Sequence, residues 1–465
     1  MPLEARWRDL ALLFFTRSEV TSPLLRRFTP AKICLPMRKK QQARGRILSG
    51  IIQRCFNLRA AQRTPVSVLR PDVLSAIESV ITEVEKRVKS LMKPIEGERF
   101  RRAGFVDGSY ALEERRGAYL LALSAASLLV DGDRLEGVLR GSSKPLAALL
   151  IPKSYGESRA SLLMSTLELL SALDLARRGV EAVFLDGSYV SGMLVPFGYV
   201  RDVYESFVAA TGLDLESIDS YGEEAAGAVM EVAGGEPLAS MSKLLDRLAA
   251  CAGKLYGGLG SRSPDQRSKK EALDFAVVYA ESTAYLAALN LLLEECSSSG
   301  VAPFWVAKDA ESRYIVEREG VVGWLNDLTL LDYAWRDGEA VYAVLEGSKF
   351  GRPKPCAAWP RLLHEVFGRW SAYGVAYFKL KRVGAAAQMT YPAFVRQESV
   401  ERALATLLAL SDGKGYPRPL SYAHHIAVLN PEFAKIVADE LYKREANQLV
   451  RSVLAPSGRA LAGLR

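Results

Sequence analysis

The chain says one phrase twice: Phe105-Val106-Asp107-Gly108-Ser109-Tyr110 and, later, Phe184-Leu185-Asp186-Gly187-Ser188-Tyr189. In each, an apolar run of strand length meets Asp-Gly, which reads as a buried strand ending in a tight turn, with the carboxylate on the last ordered residue. Two such ends side by side place two carboxylates within reach of one or two hard cations, the beginning of a phosphoryl-transfer site. Two unrelated strand–turn junctions read the same way, because Asp-Gly is a common turn dipeptide. The order of the surrounding elements decides between the two.

At 465 residues the chain exceeds one ordinary domain, so one large core with an insertion and two domains both fit. Its hydrophobic fraction of 49% and charged fraction of 25% are those of a soluble globular protein. No run of about eighteen apolar residues occurs, which argues against a membrane span. Cys34, Cys55, Cys251, Cys296 and Cys356 are scattered, with no Cys-x-x-Cys and no His at zinc-ligand spacing. A reducing, cytoplasmic setting without structural zinc follows. The net charge of +8 is unevenly spread: residues 1–65 carry fourteen Lys or Arg against three acids, so 14 − 3 = +11, leaving 8 − 11 = −3 for the rest. DNA contact must then come from local patches or from the basic segment, where Arg38-Lys39-Lys40, Arg44 and Arg46 suit phosphate. Residues 1–69 read as a basic extension: a disordered tail, a start placed upstream of Met37 or Met92, or an Arg-rich targeting peptide.

Order begins near Arg70, where Val73, Leu74, Ile77, Val80, Ile81, Val84 and Val88 recur at helical spacing. The first Asp-Gly strand, the stretches Gly117–Ala125 and Ser127–Asp131, and a third near Leu135–Leu139 are closely connected and imply an antiparallel meander. Ser158–Arg178 then reads as a helix striped with Leu162, Leu163, Leu167, Leu170 and Leu173 and closed by Arg177-Arg178-Gly179. Val180–Leu185 is a fourth strand running into Asp186. Three antiparallel strands, a crossover helix and a parallel fourth strand resemble the opening of the ribonuclease H-like α/β fold. That resemblance brings Asp107 and Asp186 together, and a right-handed crossover lays the helix over the same pair of strands. Glu168 on that helix is either a third ligand or a solvated helix-face acid.

Residues 196–298 read as a helical insertion, with helices over 201–213, Ser240–Leu255 and Glu271–Glu294 and a flexible Gly257–Ser263 loop. No Gly-x-x-x-x-Gly-Lys-Ser/Thr occurs, so no nucleotide-driven motor is encoded. Val301–Lys308 resumes the strand pattern; Lys308 is either a phosphate contact level with the carboxylates or an ordinary strand-end cation. Ala376–Val383 alternates into a strand and Ala393–Ser411 is helical. Then comes Gly415-Tyr416-Pro417-Arg418-Pro419-Leu420-Ser421-Tyr422-Ala423-His424-His425, with two of the three histidines of the chain. Such a histidine acts as a general acid or base, a metal ligand, or a core residue.

The ordered series of two Asp-Gly-Ser strands, a helical Glu between them, a Lys-Asp strand and a terminal Gly-Tyr-Pro-x-Pro-Leu-x-x-Ala-His run resembles the NurA nuclease family over about residues 100–430. The resemblance implies that Asp107, Glu168 and Asp186 hold Mn²⁺ or Mg²⁺, with two ions expected, and that Tyr416 and His424 complete the site, His424 also as a metal ligand. The resemblance also implies His424 rather than His425, because the family's tyrosine and histidine stand eight residues apart, as Tyr416 and His424 do. It further implies a 5′-to-3′ exonuclease on single- and double-stranded DNA with single-strand endonuclease activity. Such an enzyme works as a homodimer with a HerA-type hexameric ATPase in DNA end resection for recombinational repair. The basic extension and the long helical block depart from the family pattern. A catalytically silent scaffold that binds DNA or a partner ATPase, and an Argonaute- or PIWI-like nuclease, are the alternatives; the chain lacks the modular regions the latter uses to hold a guide.

Overall fold

The computed structural model describes residues 71–140, 145–193, 218–261, 265–321, 325–349 and 361–458, with the isolated positions 203, 207 and 263. The basic segment 1–69 lies outside the described residues, as does the helix expected over 201–213 apart from Val203 and Phe207. Residues from Glu85 onward belong to one compact unit; the part of helix α1 (Pro71–Ser90) up to Val84 belongs to a second.

The main unit is mixed α/β. Its strands are β1 (Lys93–Pro94), β2 (Arg102–Glu114), β3 (Tyr119–Asp131), β4 (Arg134–Arg140), β5 (Leu146–Leu150), β6 (Ala182–Asp186), β7 (Ala302–Ala307), β8 (Val341–Lys349), β9 (Ala372–Lys379) and β10 (Ala387–Pro392). They form one sheet in the order β1-β8-β9-β10-β7-β6-β2-β3-β4, with β5 paired to β3. β6 runs parallel to both β2 and β7. The described pairs β2–β3, β3–β4, β7–β10, β9–β10 and β8–β9 are antiparallel.

Register explains why the centre of this sheet is rigid. Phe105 lies opposite Phe184, and Phe184 opposite Phe304, so three rings stack across β2, β6 and β7 at centroid distances of 4.9 and 5.5 Å. Aromatic cross-strand contacts of this kind add to plain burial. This Phe face packs against helices α9 (Gln397–Ala409) and α10 (Arg418–Ala427) through Leu404, Leu407 and Ala423. The opposite face carries α2 (Gly156–Arg177), where Leu175 lies so close that a Cβ on Gly104 would come within 2.8 Å of it.

Between β6 and β7 come α3 (Asp219–Val232), α4 (Pro237–Gly260) and the 34-residue α5 (Gln266–Ser299). α5 is long and apolar enough to cross a bilayer, but 83% of its most apolar window is buried inside the protein, so its apolar surface is spent on the core. Buried Arg159 of α2 donates to both oxygens of buried Glu281 of α5, at 2.8–3.2 Å. The two charges satisfy one another where neither could stand alone. Further helices are α6 (Tyr314–Arg318), α7 (Asp327–Ala334) and α8 (Arg361–Trp370), and α11 (Pro431–Arg444) and α12 (Gln448–Leu454) end the described chain.

Several sequence expectations are corrected. The first Asp-Gly does not end its strand: β2 continues to Glu114, with Asp107 opposite Ala126 and Gly108 opposite Ala125. Tyr119–Asp131 is one unbroken strand rather than two stretches. Gly257–Gly260 is the last turn of α4 rather than a loop, because buried Leu255 and Leu259 continue its apolar stripe and packing overrides the weak helix propensity of glycine. The stretch read as Ala376–Val383 is displaced to Ala372–Lys379, and β10 occupies the ground before α9.

Candidate active site

Alternation along β2 sends its residues to two faces. Ala103 and Phe105 lie in the α9–α10 layer, and Asp107 follows them; Gly104 and Gly108 face α2. The same period carries Asp186 onto the Phe184 face. The last β2–β6 pair is Val106–Leu185, and Gly187, with φ +108°, turns the chain away after Asp186. Beyond that point β2 runs on without its parallel neighbour. A cavity of about 560 Å³ opens there, lined by Asp107, Glu168, Asp186, Lys308 and His424. Its size falls in the range of pockets that hold small organic ligands.

Each acid is held differently. Asp107 is 5% exposed and its Oδ2 lies 2.8 Å from His424 Nδ1 on α10, a contact across 317 residues of sequence. Glu168 reaches over from α2, and its Oε1 accepts the Gly108 backbone N–H at 2.8 Å. A Cβ on Gly108 would stand 2.8 Å from that same oxygen. Glycine is present in the first phrase for this close approach; in the second phrase glycine provides a turn. Asp186, at the strand end, faces Lys308 Nζ at 3.6 Å, and that ammonium lies 4.2 Å from the centroid of the Tyr416 ring.

Crowded, buried negative charge sets the electrostatics. Burial, and then the nearby Asp186 carboxylate, raise the Asp107 carboxyl above the usual range, with His424 pulling the other way. Burial and the Asp107 charge push Glu168 up to about 8. The Tyr416 hydroxyl is driven upward by burial and by Asp186 and Asp107, and its oxygen is buried without a hydrogen-bond partner among the described residues. Among the described residues no group of three His, Cys, Asp or Glu side chains stands in metal-holding geometry. Asp107 is turned to His424, Glu168 to the Gly108 amide and Asp186 to Lys308.

All six residues singled out in the sequence therefore come together, with Tyr416 entering through its contact with Lys308. His425 is exposed beside His424 and does not line the cavity. Sequence reading missed Gly108 as an amide donor, and it missed the serine wall. Ser161, Ser165 and Glu168 share one face of α2 at helical spacing, a signal visible on that helix alone. It also missed Tyr285, which lines the back of the cavity and donates to Gly192 O at 2.9 Å. The tyrosines closing the two phrases are structural. Tyr110 donates to Glu157; Tyr189 donates its hydroxyl to Trp370 O at 2.7 Å and its amide to Thr390 Oγ1.

The NurA domain model matches residues 101–429, from the start of β2 to just past α10. Among solved structures, NurA bound to dAMP and manganese superposes with a TM-score of 0.58 at 18% identity, covering 81% of this chain and 96% of that one. The NurA nuclease from Sulfolobus solfataricus gives 0.52 at 17%, covering 82% and 96%, and NurA with manganese gives 0.55 at 15%, covering 80% and 97%. At these identities the likeness is one of fold. Among curated proteins none matches the chain significantly. Because the family model spans most of the chain and encloses every residue of the cavity's acid cluster, this chain belongs to the NurA nuclease family.

Proposed function

We propose that this chain is a divalent-metal-dependent DNA nuclease built on a ribonuclease H-like core, the β4-β3-β2-β6-β7 part of its sheet. The observation that carries the reading is the convergence of Asp107, Glu168 and Asp186, from two strands and the crossover helix, on one cavity that His424 also enters. Their carboxylate oxygens are the donors that Mn²⁺ and Mg²⁺ prefer, and the raised Asp107 and Glu168 carboxyls mark negative charge in need of a counter-ion. The NurA structures that hold manganese, one of them with dAMP, support that choice of cation. Two bound ions would supply an activated water and offset charge on the leaving oxygen.

The protein's own groups do the rest. Asp107 and Asp186 hold the reaction centre from one face of the sheet and Glu168 from the other, fixed by the Gly108 amide. His424 orients Asp107 through Nδ1 and, with its side chain 48% exposed, offers its ring to a proton at the scissile phosphate. Tyr416 and Lys308 border the strand. We assign the activity as 5′-to-3′ exonuclease on single- and double-stranded DNA with single-strand endonuclease action, in DNA end resection. The working form is a cytoplasmic homodimer with a HerA-type hexameric ATPase, which would provide the motor this sequence lacks.

The test is cleavage of DNA labelled at the 5′ or the 3′ end. Mn²⁺-supported release of the 5′ label first, abolished by EDTA, is expected. Cleavage that survives EDTA, or none with any divalent cation, would overturn the reading.

A further inference from the structure

Lys308 follows β7 directly and is the only Lys or Arg among the described residues lining the cavity, against four acids, Asp107, Glu168, Asp186 and Asp309. His424, which is turned to Asp107, and the hydroxyls of Ser161, Ser165, Ser188, Ser191 and Tyr285 make up the rest of its polar side-chain wall. The ammonium sits 3.6 Å from Asp186 Oδ2, an ion-pair distance too long for a hydrogen bond, and the Lys308 side chain is 41% exposed. Such a pair is weak and easily exchanged. The Tyr416 ring beneath it, at 4.2 Å, gives the cation a platform that does not depend on Asp186.

Resting on the nuclease reading above, we propose that Lys308 is a displaceable counter-ion: it neutralises Asp186 until that carboxylate binds a divalent cation, and then turns, still over Tyr416, to a backbone phosphate of the bound strand. The positive charge that keeps the empty acid cluster balanced is thereby reused on the substrate. Two opposite effects follow from one side chain. Without DNA, Lys308 competes with and repels a divalent cation, so losing its charge strengthens metal binding. With DNA, its loss removes a phosphate contact. A lysine that only holds the fold predicts weaker metal binding when replaced, and one that only contacts phosphate predicts no change in metal binding without DNA.

The experiment is a calorimetric titration of the full chain with MnCl₂ in the absence of DNA, for wild type, Lys308→Gln and Lys308→Arg. The Gln variant is expected to bind Mn²⁺ about tenfold more tightly, equivalent to about 1.4 kcal/mol, and the Arg variant to stay near wild type. In cleavage of single-stranded DNA the Gln variant should also show a salt dependence shallower by about 0.7 in the log–log slope, one phosphate contact. Unchanged or weaker Mn²⁺ binding by Lys308→Gln, beside a wild type that binds Mn²⁺, overturns the counter-ion role alone. A wild type that binds no Mn²⁺ overturns the nuclease reading together with it.

Discussion

Replacing Asp107 by Asn is expected to lower Mn²⁺-supported DNA cleavage at least about 10³-fold, the equivalent of about 4 kcal/mol of transition-state stabilisation, while the protein stays folded. The substitution keeps shape and removes charge. Asp107 is buried on the Phe105 face, between His424 and the end of β6, and a carboxamide there can still meet His424 Nδ1. Its carboxyl is already raised by burial and by Asp186, so neutralising it relieves repulsion in the metal-free protein. Thermal melting in EDTA should therefore be equal to or higher than wild type. Loss of activity without loss of stability separates a charge needed for chemistry from one needed for folding. Asp107→Asn activity above about a tenth of wild type, with the fold intact, would contradict the assignment.

Gly108→Val should act through a neighbour. A Cβ there would stand 2.8 Å from Glu168 Oε1 and 2.9 Å from its Cγ, closer than such contacts are found. β2 is locked to β3 along its whole length, so the strand stays and the Glu168 side chain swings away from the Gly108 amide. Cleavage is expected to fall on the order of 10²-fold, as for removal of a group that orients a metal-binding site, with a smaller fall for Gly108→Ala. Melting should change little, because the atoms that give way belong to the Glu168 side chain and not to backbone. Kinetics within threefold of wild type for Gly108→Val would mean that Glu168 has no part in the reaction.

How much of this was written in the sequence depends on how local each cause is. The strand into Asp186 and its turn at Gly187 were legible, because an apolar run ending in Asp-Gly is a local signal and Gly187 adopts the positive φ that only glycine takes easily. The same dipeptide at Asp107-Gly108 misled. Only the tertiary approach of Glu168, sixty residues away, explains that glycine. α2, α4 and α5 were legible from long periodic stripes, and β7 from a short continuous apolar run buried on both faces. β10 was not: Gln388 and Thr390 are buried polar residues serving hydrogen bonds to Ser312, Tyr377 and the Tyr189 amide, so no apolar alternation appears. α3 was hidden by Gly222 and Gly227; a Cβ at Gly222 would meet the Tyr279 hydroxyl at 2.7 Å, a requirement of packing rather than of helix formation. For the site, motif order named its residues, but the His424–Asp107 contact and the Lys308–Tyr416 stack join segments that only the fold brings together.

The central claim is that Asp107, Glu168 and Asp186 share one cation site, and the most direct measurement is the anomalous difference density of crystals soaked in MnCl₂. The account predicts a peak in the cavity within about 2–2.6 Å of oxygens from all three carboxylates, the range of hard-cation bonds, with Lys308 drawn off Asp186. Manganese bound only elsewhere, with Asp107 still on His424 and Asp186 still facing Lys308, would contradict it.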